Sequence, residues 1–173
     1  MKKVMRILSV LFLLAVLVSC GKGNERVLDY RSIRDTELNA VISLGDSRRE
    51  AERVLGRPFA DTYGSLGELV FTNGMVVIFE NDIVIRIIAA NIVGVERFEI
   101  LNYSAGMTKE QINAGFIFAG EIEDDFLYVK FYDNNGNSLN VETPPNQGVG
   151  NSVTWRENAE GKRIVLMVYD VSK

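Results

Sequence analysis

The sequence has no histidine and a single cysteine among its 173 residues. Without histidine there can be no Ser-His-Asp or Cys-His catalysis and no histidine-ligated zinc. One cysteine, Cys20, rules out a disulfide within the chain and a cysteine-ligated zinc site. Chemistry of any kind would fall to Asp, Glu, Lys, Tyr, Ser or a carboxylate-held metal. A Gly-rich phosphate loop is missing too, because no Gly-Lys-Ser/Thr follows a strand pattern. Basic charge is also in short supply. The formal net charge is −4, and Lys2, Lys3 and Arg6 sit within the first six residues. A chain that loses them is more acidic still, which argues against nucleic acid and against electrostatic binding to anionic lipid.

Long apolar runs are absent, and the one short run is informative. Ile7 to Val18 is an apolar stretch of about twelve residues behind a basic start. A membrane-spanning helix needs roughly 20, whereas a signal-peptide core needs about 7–15. The run ends in Leu17-Val18-Ser19-Cys20. This junction resembles the lipobox of bacterial lipoproteins, with an aliphatic residue three before the cysteine and a small one just before it. The resemblance implies cleavage after Ser19 and a diacylglycerol on the Cys20 sulfur. Residues 1–19 then form the signal, and residues 20–39 hold the acylated cysteine and a tether or arm. Two or more acyl chains anchor stably, at about 0.8 kcal/mol per buried CH₂. The expected location is the cell envelope, on the periplasmic side of the outer membrane or at the cell surface rather than on the inner membrane.

Beyond the polar tether, residues 27–39 fit either a loose helix or a docked arm. From Val41 the pattern sharpens. Val41-Ile42-Ser43-Leu44 reads as a short strand, and Gly45-Asp46-Ser47 turns into a helix over Arg48 to Leu55. Ser47 and Glu50 form a capping box. Ala51, Val54 and Leu55 share a face, and Gly56 with Pro58 stops the helix. A similar grammar returns at Gly106, Thr108 and Gln111, with Ile112 and Phe116 on the apolar face. Strands follow each helix. Residues 68–71 and 75–79 join through Asn73-Gly74, a strong hairpin signal. Residues 83–89 and 98–103 come next. In the second half, strands at 126–132, 138–141, 152–156 and 163–169 surround a loop over 143–150.

These patterns predict an α+β fold: two tandem repeats, residues 40–103 and 104–173, each a short helix followed by an antiparallel meander, with helices packed on one sheet face. Gly-x-[Ser/Thr]-x-x-[Glu/Gln] before a short helix, then Gly-x-Pro and a Phe-x-Asn-Gly hairpin, resembles the BamE (SmpA/OmlA)-type small lipoprotein domain. Two such units in tandem are similar to the β-lactamase inhibitor protein fold. The resemblance covers roughly residues 40–171, and no Gly-x-Pro follows Phe116. It implies a binding protein with no catalytic residues to carry over.

Two polar clusters have ordinary explanations. Asp133, Asn135 and Asn137 have the first spacings of a calcium loop, but Ser138 and Pro144 stand where glycine and glutamate should be. A hairpin turn fits better, so no metal or cofactor is expected. Glu121, Glu123, Asp124 and Asp125 read as a solvated charge run. Tyrosines are more telling. Tyr128 and Tyr132 alternate with Leu127, Val129 and Phe131, and Met167 and Tyr169 alternate with Ile164, Leu166 and Val168. If the second sheet face is free, Tyr128, Tyr132, Met167 and Tyr169 form a partner-binding surface, since such side chains are enriched at interfaces.

The expectation is a non-enzymatic, membrane-anchored binding or scaffold lipoprotein. Its partners are the bilayer, through acylated Cys20, and another envelope protein, with no nucleic acid or small-molecule substrate evident. The alternative is a protein inhibitor of an exported enzyme. Replacing Cys20 by Ser removes the thiol that accepts diacylglycerol. The Cys20→Ser chain should lose metabolic lipid labelling and leave the detergent phase, or persist as a precursor. Continued labelling would disprove the attachment site.

Overall fold

The computed structural model describes residues 26, 28–92, 97–101, 103–104, 109–122, 125–139, 150–158 and 163–171. The leader, Cys20 and Thr108 lie outside these residues. So do Glu123, Asp124 and most of the 143–150 loop.

Chain order begins with β1 (Ser32–Asp35), β2 (Ala40–Ser43), α1 (Arg48–Leu55), β3 (Ala60–Thr62), β4 (Leu66–Val70), β5 (Met75–Glu80) and β6 (Ile83–Ile92). It continues with β7 (Phe98–Ile100), β8 (Tyr103–Ser104), α2 (Lys109–Gly115), β9 (Ile117–Ile122) and β10 (Asp125–Tyr132). β11 (Ser138–Leu139), β12 (Asn151–Asn158) and β13 (Arg163–Asp170) complete it. All strand pairs are antiparallel. A 9-stranded sheet runs β11-β10-β12-β13-β6-β5-β4-β3, with β9 also on β10. A 4-stranded sheet runs β2-β1-β7-β8.

This architecture overturns the expected α+β fold of two helix-on-sheet repeats. Among the described residues the protein is mostly β, with two short helices. Helices of 8 and 7 residues extend only about 12 and 10 Å at ~1.5 Å per residue. Neighbouring strands lie ~4.8 Å apart, so these helices leave most of the wide sheet uncovered. The small sheet covers its middle, where β1 and β7 contact both β6 and β13. The segment expected at 98–103 to extend the main meander pairs instead with β1, Ile100 opposite Ile33.

The core lies between these layers. Ile33, Ile42, Phe98 and Ile100 of the small sheet meet Leu69, Val77, Ile87, Trp155, Leu166 and Val168 of the large one. Ala51 and Leu55 of α1, Ile112 of α2 and Phe116 just after it join them on the same side. Residues 28–39 thus resolve into a docked arm with a strand of its own, and residue 27 lies outside the described residues. Its Tyr30 ring stacks on Tyr132 at a centroid distance of 4.8 Å.

Local chemistry sets the boundaries. Ser47 caps α1, its hydroxyl accepting from the Glu50 N–H at 3.2 Å. Gly56 ends the helix at φ 84°, a conformation that side chains resist. Turn types divide differently from the sequence pattern. Gly74 alone takes positive φ at the β4–β5 hairpin, whereas Asn81 and Asp82 both do between β5 and β6. The tight turn with two left-handed residues is therefore Asn81-Asp82.

A buried carboxylate locks the layers at one end. Asp35 is fully buried. Its Oδ1 accepts from the Glu37 and Leu38 N–H groups, and its Oδ2 from Asn73 Nδ2 at 2.8 Å and Arg97 Nε at 2.9 Å. Removing one partner of a buried ion pair costs about 3–5 kcal/mol. Asp35→Ala should therefore lower stability by about 3 kcal/mol or more in urea unfolding, because it strands Arg97 and Asn73. A loss under about 1 kcal/mol would show that the network is not a structural pin.

Candidate functional site

Register places the four aromatic and methionine candidates on two different faces. Tyr128 pairs with Trp155 and Tyr132 with Asn151. Both tyrosines are buried in the core cluster, on the side of the small sheet and helices. Met167 pairs with Ile88 and Thr154, and Tyr169 with Arg86 and Ser152. These two are half-buried and face away from the core. Leu127, Val129 and Phe131, expected beneath the helices, share that outer side.

The outer side carries two rows across the strands. One runs Val70, Val76, Ile88, Met167, Thr154 and Val129. Beside it stand Ile78, Arg86, Tyr169 and Phe131. The Arg86 guanidinium lies 4.2 Å from the centre of the Tyr169 ring. Both described helices and the small sheet pack on the opposite face, yet Val129, Thr154 and Phe131 at the β10–β12 end of this one are buried, while Val76, Ile88, Met167 and Tyr169 are half-buried. An antiparallel sheet with one open side ordinarily alternates apolar and polar residues. Here the outer side is apolar from Val70 through Val76 and Ile88 to Met167, before the row reaches Thr154.

A second cluster, unnoticed in the sequence, lies at the β3 edge. Arg48 is buried at the start of α1. Its Nη1 donates to Asp61 Oδ1 at 2.6 Å and its Nη2 to the Thr62 carbonyl at 2.7 Å. The guanidinium lies 4.3 Å from the Tyr63 ring centre and 5.0 Å from that of Phe79. Gly67 makes room, since a Cβ there would stand 2.6 Å from Arg48 Nη2. Burial by itself would lower the Arg48 pKa, but the Asp61 hydrogen bond and charge, with Tyr63 and Asp82, leave it raised. The Arg48 hydrogen bond holds the Asp61 carboxyl below the usual range, outweighing partial desolvation. In turn the Asp61 carboxylate raises the Tyr63 phenol.

β3 is the edge strand here, exposed throughout, with exposed Phe59 before it and exposed Tyr63 after it. The readable signal was Phe-Ala-Asp-Thr-Tyr between Pro58 and Gly64, a short β-prone run whose proline and glycine confine it to an edge.

Other candidates find structural roles. The Asp133 carboxylate accepts from the Asn135 and Asn137 N–H groups and from Asn137 Nδ2, which closes a hairpin turn. The Asn137 side chain and then its backbone hold the Asp133 pKa down. Asp125 pairs with Arg156 at 2.6 Å. Among the described residues, no three Asp or Glu converge as a metal site. A cleft of about 270 Å³ beside Lys130 is lined by the end of α2, Ile117 and β11. It brings no paired carboxylates together.

The chain matches no known protein family, no curated protein and no solved structure.

The Arg48–Asp61 pair carries a pH signature. The folded Asp61 pKa is depressed, so its stabilisation is present above the unfolded value of about 3.9 and is lost as pH falls through the folded value. Asp61→Asn should therefore melt below wild type near neutral pH, and the gap should close in acid. A gap that persists unchanged in acid would show that ionisation of Asp61 plays no part.

Proposed function

We propose that this is a lipid-anchored, non-catalytic protein-binding module of the bacterial cell envelope, which holds another envelope protein on the outer face of its large sheet. The observation that carries the reading is the apolar row through Val76, Ile88 and Met167, flanked by Tyr169, on the side opposite the core. These side chains are half-buried, and an extended apolar stripe on a sheet face marks an interaction site. Methionine repacks to fit a partner, while tyrosine supplies rigid area with a polar tip. The Arg86–Tyr169 pair adds a cation at the rim of this area, where charge sets orientation more than affinity.

Two sequence features support the same reading. The basic start, short apolar run and Leu-Val-Ser-Cys junction fit acylation of Cys20. The likeness to BamE-type lipoproteins, a group of binding proteins, points the same way at the level of motifs. An anchor confines both partners to one membrane surface, which raises their effective concentration without adding a contact.

Cross-linking in intact envelopes followed by affinity capture tests the proposal. Wild type should retain one envelope protein reproducibly. Met167→Asp and Tyr169→Ala should each lose most of the capture while shifting stability by less than about 1 kcal/mol, as surface changes do. Tyr132→Ala is the contrasting variant and should cost about 3 kcal/mol or more, as truncation of buried aromatics does. Undiminished capture by Met167→Asp would move the interface off this face.

A further inference from the structure

Among the described residues, the exposed large apolar side chains are Leu38, Phe59, Tyr63, Leu66 and Ile83. Three of these five gather at one end of the large sheet. Leu66 and Ile83 both pair with Glu80, one from each side. The Asn81 N–H donates to the Ser65 carbonyl at 3.0 Å, which joins the β5–β6 turn to the β3–β4 turn. Tyr63 is held against the same end by Arg48, whose backbone N–H donates to the Asp82 carbonyl. Every residue of 61–66 and 81–83 is exposed. The result is a blunt tip with an apolar centre.

The chain leads from this tip toward its N-terminus. Ser47 bridges to Ile83, and the Val84 N–H donates to the Asp46 carbonyl at 2.8 Å. The Asp46 carboxylate accepts from Arg26 at 2.6 Å, and Arg26 also reaches Glu50 at 3.2 Å. Only residues 21–25 separate Arg26 from Cys20. Six extended steps reach about 20 Å at most, at ~3.3–3.6 Å per residue. An acylated Cys20 lies in the bilayer interface, so the Arg26 end of the domain must stay within that distance of lipid.

We infer that Tyr63, Leu66 and Ile83 form a membrane-contacting tip, which enters the interface of the bilayer that holds the Cys20 acyl chains. The inference rests on the lipid-anchor reading. Tyrosine suits the interface because its ring is apolar and its hydroxyl stays wet. Attraction to anionic headgroups contributes little, since Arg48 is already neutralised by Asp61 and the Asp82 side chain is 79% exposed. Apolar burial drives the contact, so it is insensitive to salt.

Leu38 provides a control at the opposite end. It lies in the β1–β2 turn beside Asp35, which holds Asn73 of the β4–β5 hairpin. The length of β5 puts this end about 20 Å from the tip at ~3.3 Å per residue.

The test uses the full acylated chain, purified from envelopes and reconstituted into phosphatidylethanolamine–phosphatidylglycerol vesicles with brominated acyl chains. Tyr63→Trp and Leu38→Trp variants are compared after subtraction of the buried Trp155 signal of wild type. The new indole in Tyr63→Trp should be blue-shifted and quenched several-fold more than that in Leu38→Trp, at low and at high salt. Leu66→Trp repeats the measurement should Tyr63→Trp fail to fold. Equal quenching at both ends, or none at either, with lipid present on Cys20 by mass, would overturn the tip while leaving the anchor intact. An unacylated Cys20 would overturn the anchor and the tip together.

Discussion

One buried carboxylate sets the geometry of the whole molecule. Asp35 brings together donors that are distant in sequence: two amides of its own turn, Asn73 from the β4–β5 hairpin, and Arg97 ahead of β7. Arg97 is also tied to Glu37 at 2.6 Å. Next to it, the buried Asn91 amide donates to the Phe98 carbonyl and accepts from the Phe98 N–H. Apolar burial alone would let a small sheet slide over a large one, because it is non-directional. The polar pins remove that freedom. They fix where Ile33, Phe98 and Ile100 descend onto β6 and β13, and hence which face of the large sheet lines the core. A network of this kind is stabilising only while every member is satisfied.

Much of the local structure was legible in the sequence. Ser47 and Gly56 delimit α1 through capping rules that act within a few residues, and the runs at 75–79, 126–132 and 163–169 are strands. Orientation was harder. Along β10 the sets Leu127, Val129, Phe131 and Tyr128, Lys130, Tyr132 are both apolar enough to be buried, so period-2 alternation shows that there are two faces without saying which looks inward. Pairing settles it, since Tyr128 lies opposite Trp155. The small sheet was illegible for a related reason. Residues 98–100 have no nearby signal directing them to Ile33, and only the shape of the uncovered sheet makes that pairing favourable. β3 escaped notice because it buries nothing, and the hydrophobic pattern registers only strands that do.

Arg48 illustrates how one long side chain can serve several surfaces. Its stem and guanidinium fill the space above Gly67, its donors hold Asp61 and Thr62, and its flat face supports Tyr63. A lysine could offer neither the fork nor the plane. The edge strand is thus kept in shape with a strand on one side only, and its ionised partner discourages pairing with stray chains.

The seam between β6 and β13 has a kinetic consequence. Ala89 lies opposite Leu166, and Ile87 opposite Val168. Nearly all of the chain must therefore be available before the middle of the sheet can close, and the loop entropy of that closure is spent before the core repays it. Folds dominated by such distant pairings mature in milliseconds to seconds rather than microseconds. Until β13 arrives, β6 presents a long apolar edge that is prone to aggregation. Loss of β13 would leave two half-sheets with facing open edges, so it is this strand, late in the chain order, that closes a sticky intermediate into one sheet.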